Sequence, residues 1–372
     1  MSIDTVTENG LVNTVRVNHF DNHLHGRRHP LKKFLLGQAA ERMNGGVLEP
    51  NTNPHILTCD DAKREVDEAR EIAPHRHWFA SIYLTPTTEP KEVLRAWEKG
   101  LILHVKWYPP HGSTHSEESV QPEDLLDKNS STGKLLSMMA EAGIPLKNHG
   151  EVAHWKADDV DAYDRERIYY SYIQPHIPDL YPNLKQILAH ISTEEAVDYA
   201  VGNGDPEKRI FEVTAHHLAF DRRILYDGGF LLPDHHCLPV VKAKRHLFAL
   251  QRLLQERPSY VVAGSDMAAH PTTNKYAARA FGGYYTYHCA LELYVQSLDQ
   301  LGLLDYAQAF LYGNAQRFHG ARVPVSAEPF TLTRQEWTIN GRYEFAGQQL
   351  TPFGFDENEG KRFKFQWMLV EQ

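Results

Sequence analysis

The chain has few cysteines and no long apolar run. Its three cysteines, Cys59, Cys237 and Cys289, form no Cys-x-x-Cys pair, a pattern that favours a reducing compartment over a disulfide framework. No apolar run approaches the roughly 20 residues that a membrane-spanning helix requires. Residues 1–10 lack the apolar core of a signal peptide. The sequence therefore predicts a soluble, cytoplasmic protein.

Basic residues are also fewer than acidic ones. With 39 lysines and arginines against 48 aspartates and glutamates, the net charge is −9. Nucleic acids and anionic membranes are bound through a basic face, so the charge argues against both as the main partner and leaves a small-molecule substrate. The sequence also has no Gly-x-Gly-x-x-Gly or Walker A motif, so nothing in it favours a nucleotide-binding sheet.

The 372 residues, 42% of them hydrophobic, do contain alternating strand-like and helix-like segments. Predicted strands cover Leu11–Val17, 46–48, 79–84, 101–108, 144–149, 186–190, 210–215 and 260–266. Predicted helices cover 61–72, 90–99, 135–142, 158–173 and 194–201. About eight such units precede residue 311, which predicts a closed (β/α)8 TIM barrel, with an open doubly wound sheet as the alternative. We expect the barrel in residues 1–322 and a C-terminal extension that packs on it in residues 323–372.

Ionisable residues end several of the predicted strands. They are His23 and His25 after the first strand, then Lys106, His149, His190 and Asp266 after later ones. Residues i and i+2 of a strand point to the same face, so His23 and His25 can reach one ion together. A (β/α)8 barrel carries its chemistry at the carboxyl ends of its strands. Imidazoles and a carboxylate there predict a site for zinc or a similar divalent ion.

Lys106 requires a separate explanation, because an ammonium ion has no lone pair to offer a metal. Addition of CO₂ to the neutral amine would give a carbamate, an anion able to bridge two cations. Taken alone, Lys106 fits a surface ion pair better, and a single buried histidine is usually structural. The recurrence of four histidines and Asp266 at the ends of predicted strands nevertheless favours a metal centre.

Nine short motifs occur in an order that resembles the amidohydrolase superfamily and, within it, the bacterial-type single-domain (class II) dihydroorotases. The motifs are residues 23–27 (His-Leu-His-Gly-Arg), 50–54 (Pro-Asn-Thr-Asn-Pro), 106–109 (Lys-Trp-Tyr-Pro), 149–152 (His-Gly-Glu-Val), 164–165 (Asp-Arg), 189–192 (Ala-His-Ile-Ser), 214–218 (Thr-Ala-His-His-Leu), 237–239 (Cys-Leu-Pro) and 264–270 (Gly-Ser-Asp-Met-Ala-Ala-His). In the family the 214–218 motif is Thr-Pro-Gln-His-Leu, so His216 stands in place of a glutamine.

The resemblance implies two Zn²⁺ per subunit, bridged by Lys106 as N6-carboxylysine and by a hydroxide. The first zinc would be held by His23, His25, Lys106 and Asp266, and the second by Lys106, His149 and His190. Asp266 would act as the general base and then as the general acid. The implied reaction is the reversible cyclisation of N-carbamoyl-L-aspartate to L-dihydroorotate in pyrimidine biosynthesis.

The resemblance also implies how the substrate is bound. Arg27, Asn51 and His270 would recognise its carboxylate, which agrees with the fit between guanidinium and carboxylate groups. The backbone of Leu238 and Ala268 would bind the amide edge of the ring. Ser113 and Thr114 would belong to a mobile loop, residues 109–120, that closes over the substrate. A homodimer is expected on the same ground.

Two other functions stay open at this point. A related cyclic amidase could act on another ring such as a hydantoin, but it would not need all of Arg27, Asn51 and His270. A non-catalytic scaffold would be expected to lose ligands, and this chain keeps every one. The remaining clustered histidines are expected to be structural, with His217 the strongest candidate for a further role; they are His216, His217, His235 and His236. Cys237 has no evident partner base, so it is not predicted to be a catalytic thiol.

Overall fold

The computed structural model describes residues 4–8, 11–156, 158–325 and 327–370. A sheet of eight parallel strands forms its centre. In chain order, the first to eighth barrel strands are Phe20–Leu24, Gly45–Leu48, His77–Tyr83, Ile102–Trp107, Leu146–His149, Gln186–Ala189, Arg209–Val213 and Val261–Ala263. Each strand pairs in parallel with its chain neighbour among these eight.

The sheet closes between its first and eighth strands. Leu24 forms a parallel bridge with Met267, the Asp266 amide donates to the His23 carbonyl at 2.9 Å, and the His25 amide donates to the Met267 carbonyl at 3.1 Å. These bonds join the first strand to the segment just after the eighth. The predicted barrel is therefore confirmed, and its seam carries three of the predicted site residues.

Twelve α-helices connect and follow the barrel strands in the described residues. They are Leu31–Ala40, Cys59–Ile72, Pro90–Glu98, Ser131–Ala142, Arg165–Tyr172, His176–Leu180, Glu194–Asn203, Ala215–Ala219, Lys244–Gln255, Thr272–Lys275, Ala290–Gln300 and Asn314–His319. Local sequence sets several ends: Thr58 and Asp61 form a capping box, and Gly143 ends its helix at a φ of 69°. Among the helices described, none combines the length and apolarity needed to cross a bilayer.

Apolar side chains from seven barrel strands pack in one buried cluster with Tyr312 and Phe318. The seven are Phe20, Val47, Phe79, Leu103, Ile187, Ile210 and Val262. A larger cluster lies where the strands meet the surrounding helices, as in the packing of Val105, Leu136 and Met139. This apolar packing holds the strands in register and positions the polar residues at their carboxyl ends.

The prediction that Leu11–Val17 is the first barrel strand, with His23 at its end, is wrong. Leu11–Val17 is a strand, but it pairs with Phe330–Trp337 in a separate antiparallel sheet, and His23 lies in the next strand, Phe20–Leu24. The sequence of that strand, Phe-Asp-Asn-His-Leu, is too polar for a periodicity argument. Its polar groups are satisfied inside the fold: Asp21 accepts from the Ser265 amide, and Asn22 donates to the Ala263 carbonyl.

The predicted helix over 158–173 is also wrong in its first half. Asp158–Asp159 pairs with His154–Trp155 as a short hairpin, and the helix begins only at Arg165. Asp161 accepts from the Tyr163 amide at 2.8 Å. Short acidic side chains that bond to the nearby backbone in this way favour turns over helix.

The C-terminal segment forms part of a four-stranded antiparallel sheet. Its strand order is Asp4–Glu8, Leu11–Val17, Phe330–Trp337, Phe365–Leu369. The sheet is tied to the helix Ala290–Gln300, because Gln296 accepts from the Gln366 amide at 2.8 Å and Asp299 accepts from Trp367 Nε1 at 3.1 Å. The division of the chain at residue 322 stays a prediction.

Candidate metal centre and substrate cavity

The predicted metal ligands come together at the carboxyl end of the barrel. They are His23 in the first strand and His25 just after it, Lys106 in the fourth, His149 at the end of the fifth, His190 after the sixth and Asp266 after the eighth. Two of them sit in the left-handed backbone region, His190 at φ 38° and Asp266 at φ 49°. Non-glycine residues held in this region are uncommon and are often found at functional sites.

Asp266 is the centre of the first group. Its Oδ1 lies 3.0 Å from His25 Nε2 and 3.3 Å from His23 Nε2. His23, His190 and Asp266 each offer one ligand atom, and these atoms all lie within 4.8 Å of one another. All of these side chains are buried. Such spacing suits a shared cation.

His149 and His190 form the second group. Their rings are 4.5 Å apart, centroid to centroid, and the His190 ring is 5.1 Å from that of His23. The Nε2 atom of His149 lies 2.9 Å from Glu151 Oε2. A carboxylate on one ring nitrogen fixes the tautomer and orientation of a histidine, which is how metal-binding histidines are commonly held.

Lys106 interacts electrostatically with both groups, through His23 and His149. Its Nζ is fully buried and has no hydrogen-bond partner among the described residues. The nearest carboxylate oxygen, Glu49 Oε2, is 3.9 Å away. Burial outweighs the attraction of Glu49 and lowers the pKa of Lys106 to about 8. About a tenth of this amine is therefore neutral at pH 7, far more than for a lysine of ordinary pKa.

The charges of the site follow from burial and from close partners. Burial opposes ionisation of Asp266, but His23, the hydrogen bond from His25 and Lys106 together lower its pKa to about 2. Burial, followed by the neighbouring His149, lowers the pKa of His190 well below its usual range. The carboxylate is thus ionised and the imidazole neutral, the forms in which both bind metals.

The donor set fits divalent cations. Besides Lys106, the Nδ1 atoms of His25 and His190 are buried without a hydrogen-bond partner in the described part of the chain. Buried polar atoms are nearly always paired in folded proteins. Several unpaired nitrogens in one place therefore indicate a site for a bound group. Neutral imidazoles beside an ionised carboxylate are ligands that zinc accepts.

All seven predicted substrate residues line one cavity beside this cluster. The cavity is lined by His25, Arg27, Asn51, Ser113, Thr114, Leu238, Asp266, Ala268, His270, Gly282 and Gly283. Arg27 is oriented by two contacts: its Nε donates to the Ala269 carbonyl at 2.7 Å, and its Nη2 lies 2.9 Å from His270 Nε2. A second, wider cavity of about 320 Å³ shares Arg27, Asn51 and His270 with it.

The predicted mobile loop covers the cavity in this structure. Asn51 Nδ2 donates to the Thr114 carbonyl at 2.9 Å, and the Ser113 amide donates to Ser116 Oγ at 2.9 Å. At the far end of the loop, Trp107 Nε1 donates to the Val120 carbonyl. These hydrogen bonds from Asn51 and Trp107 therefore anchor the loop to the barrel.

The chain is 32% identical over 343 residues to a dihydroorotase from Nitrosomonas europaea, a match that covers 91% of this chain and 94% of that protein. The chain belongs to the dihydroorotase family. The resemblance inferred from the motifs is therefore confirmed, and the family is one of cyclic amide hydrolases. No family model matches the chain.

Solved structures give the same fold at lower identity. A dihydroorotase from Saccharomyces cerevisiae in complex with 5-fluoroorotic acid aligns with a TM-score of 0.85 at 23% identity, over 96% of this chain and 99% of that chain. An L-hydantoinase from Arthrobacter aurescens aligns with a TM-score of 0.68 at 14% identity, over 91% of this chain and 85% of that chain. The fold alone thus does not separate dihydroorotases from hydantoinases.

A buried charged network beneath the ligands was missed from the sequence of this dihydroorotase-family chain. Lys147 Nζ lies 2.7 Å from Glu49 Oε1 and 2.9 Å from Glu212 Oε2. Glu212 Oε1 in turn lies 2.7 Å from His23 Nδ1. Lys147 and Glu212 lie within two of the predicted strands, 144–149 and 210–215, and both side chains are fully buried. A lone charge in each of two buried strands was a usable signal that the two pair with each other.

Proposed function

We propose that the chain catalyses the reversible conversion of N-carbamoyl-L-aspartate to L-dihydroorotate, the dihydroorotase reaction of pyrimidine (UMP) biosynthesis. One observation carries the proposal. Two of the proposed metal ligands, His25 and Asp266, line the same cavity as Arg27, Asn51 and His270, which suit a carboxylate. A hydrolysable ring bearing a carboxylate needs both sets at once.

The metal roles follow the two groups of ligands. His23, His25 and Asp266 would hold one Zn²⁺, and His149 and His190 a second, with carboxylated Lys106 and a hydroxide shared between them. When bound, such a pair of ions lowers the pKa of water and polarises the ring carbonyl. The buried, unpaired donors of these residues support this assignment.

Carboxylation of Lys106 is supported by the environment of its amine. The reaction joins Nζ to the carbon of CO₂ and releases one amine proton to solvent, so it requires a neutral amine. Complete burial, with no hydrogen bond among the described residues, disfavours the ammonium form. The carbamate would then supply the negative charge that two cations between neutral imidazoles need.

Asp266 would move the proton. Because its carboxylate is ionised at neutral pH, it can accept a proton in the hydrolytic direction and return it to the ring nitrogen as the amide bond breaks. The His25 contact of 3.0 Å holds the carboxylate beside the cavity. In the cyclisation direction the same carboxylate would take the proton from the attacking nitrogen.

Substrate orientation would come from side chains and backbone together. The Arg27 guanidinium, held by Ala269 and His270, would pair with the substrate carboxylate, assisted by Asn51. The backbone of Leu238 and Ala268 would bind the amide edge of the ring. Closure of the loop bearing Ser113 and Thr114 would exclude water and strengthen these contacts.

We also propose an oligomeric state, a cellular location and a domain division for the enzyme. We infer a homodimer in the cytoplasm, with residues 1–322 as the catalytic barrel and 323–372 as an extension on it. The pairing of Leu11–Val17 with Phe330–Trp337 supports an extension that packs on the rest of the chain.

The test is the loss of dihydroorotate absorbance on addition of zinc-loaded protein, with a chelator-treated sample as control. Turnover that requires metal and runs in both directions supports the proposal. Hydrolysis of a hydantoin without turnover of dihydroorotate would replace it with the related cyclic amidase. Absence of both turnover and bound metal would favour a non-catalytic scaffold.

A further inference from the structure

A second cluster of possible metal ligands lies outside the two-zinc centre. His216, His217 and Cys237 each offer one ligand atom, and these atoms all lie within 4.8 Å of one another. Their exposed fractions are 0%, 3% and 1%. The histidines belong to the short helix Ala215–Ala219 after the seventh barrel strand, and Cys237 comes from the loop before Lys244–Gln255.

His216 is the least satisfied member of this cluster. Neither of its ring nitrogens has a hydrogen-bond partner among the described residues, although the side chain is fully buried. Its ring stacks on Tyr284 at a centroid distance of 4.4 Å and an interplanar angle of 13°. Burial lowers the pKa of His216 to about 3, so its imidazole is neutral and keeps a lone pair. A buried, neutral and unpaired imidazole lacks a partner that a metal can supply.

His217 can serve as a ligand without losing its orientation. Its Nδ1 lies 2.8 Å from Thr214 Oγ1, and its Nε2 lies 3.0 Å from the Pro239 carbonyl oxygen. With the proton on Nδ1 and donated to Thr214, the lone pair of Nε2 becomes available. Fixing of the tautomer through the outer ring nitrogen is typical of metal-bound histidines.

Cys237 is oriented toward the same point. Its Sγ lies 3.1 Å from the Pro239 carbonyl oxygen, the atom that also contacts His217 Nε2. Burial raises the pKa of the thiol, so the sulfur is protonated in the absence of metal. Coordination would form the metal–sulfur bond and release the thiol proton to solvent.

We propose that His216, His217 and Cys237 form an additional metal site that takes a thiophilic ion such as Zn²⁺, with the Pro239 carbonyl next to the fourth position. Two imidazoles and one thiolate are a ligand set that zinc and cobalt(II) accept and that hard ions such as Mg²⁺ do not favour. A bound ion would tie residues 237–239 to the helix Ala215–Ala219. Since the proposed zinc centre has only nitrogen and oxygen ligands, the two sites differ in chemistry.

This difference makes a direct test possible with the full chain reconstituted with Co²⁺. A thiolate ligand gives an intense near-ultraviolet charge-transfer absorption, which nitrogen and oxygen ligands alone do not produce. We expect this band in the unmodified chain and one more bound ion per chain than in Cys237→Ser. The Cys289→Ser variant is the matched control, because Cys289 is a buried thiol elsewhere in the fold; it should keep the band.

His216→Gln provides a second variant that places the family residue at this position. It should fold and turn over dihydroorotate like the unmodified chain while binding one ion fewer and losing or shifting the cobalt band. A cobalt-saturated chain without a thiolate band would overturn the proposal, and so would a band that survives in Cys237→Ser. Because the readout is spectroscopic, it does not depend on whether the protein turns over dihydroorotate.

Discussion

His23 Nδ1 lies 2.7 Å from Oε1 of Glu212, and both side chains are fully buried. The contact leaves the opposite nitrogen, Nε2, directed at Asp266. Glu212 also pairs with Lys147, so its charge is balanced within the barrel. Glu212 therefore orients His23 without entering the cavity itself.

Replacement of this carboxylate tests its orienting role. We expect Glu212→Gln to weaken metal binding about 10–100-fold, because the neutral amide is a poorer acceptor for the imidazole N–H. Metal affinity can be measured by competition with a chromophoric chelator. Glu292→Gln is the control, since Glu292 is a buried carboxylate that pairs with Arg42 instead. Equal affinities for Glu212→Gln and the unmodified chain would contradict the orienting role.

Loss of the Lys106 amine should remove the shared anion of the centre. We expect Lys106→Ala to bind little zinc and to lose turnover, because four neutral imidazoles and one carboxylate balance two cations poorly. In the unmodified chain, added bicarbonate should speed recovery of activity from the apo form. Carbon-13 NMR with labelled bicarbonate should show a carbamate signal that Lys106→Ala lacks. A fully zinc-loaded, active Lys106→Ala protein would exclude the bridge.

Asp266 is predicted to act mainly in the chemical step. Asp266→Asn should lower kcat by roughly 10²–10⁴-fold, the usual contribution of a general base, while part of the metal stays bound to the histidines. Steady-state kinetics together with elemental analysis separate the two effects. Normal turnover by this variant would show that another group moves the proton.

Arg27 is predicted to act mainly in binding. Arg27→Lys should raise KM roughly 10–100-fold with a smaller effect on kcat, because an ammonium cannot form the paired hydrogen bonds of a guanidinium. The neighbouring Arg28 is the control: its guanidinium pairs with Glu65, and it does not line the inner cavity. If Arg28→Lys raised KM as much as Arg27→Lys, the effect would not be specific to the proposed carboxylate site.

Glu166 is predicted to make stability depend on pH. Burial outweighs the effects of Lys242 and Ser192 and raises the pKa of Glu166 from 4.5 to about 7. Between these values the native state holds a proton that the unfolded state has lost, so stability falls as pH rises through this window. At about 1.4 kcal/mol per pH unit, the loss is on the order of 3 kcal/mol.

The measurement is urea unfolding of the unmodified chain and of Glu166→Gln from pH 4 to pH 8. The free energy of unfolding of the unmodified chain should fall relative to that of the variant, with most of the change complete by about pH 7. If the free energies of unfolding of the two proteins changed in parallel with pH, the pKa of the Glu166 carboxyl would be the same in the folded and unfolded states.

Much of the fold was predictable because apolar strands and amphipathic helices alternate visibly along the chain. The helix Cys59–Ile72 begins at a capping box that the sequence displays, and Gly143 marks the end of another. The predicted metal ligands were found because single ionisable residues at strand ends stand out against apolar runs. Strand order in a barrel follows chain order, so these residues had to meet at one end.

Tertiary structure decided what local pattern does not encode. The polar strand Phe20–Leu24 exists because the barrel seam satisfies its side chains, and Leu11–Val17 joined another sheet because Phe330–Trp337 was available as its partner.

By itself, the sequence determined the barrel, the residue types at its strand ends and the family. The pairing of Lys147 with Glu49 and Glu212, and the meeting of His216 with Cys237, depended on tertiary structure. Contacts between residues far apart in the chain form only when packing brings their strands and loops together. The local periodicity of the sequence does not indicate which distant residues will meet.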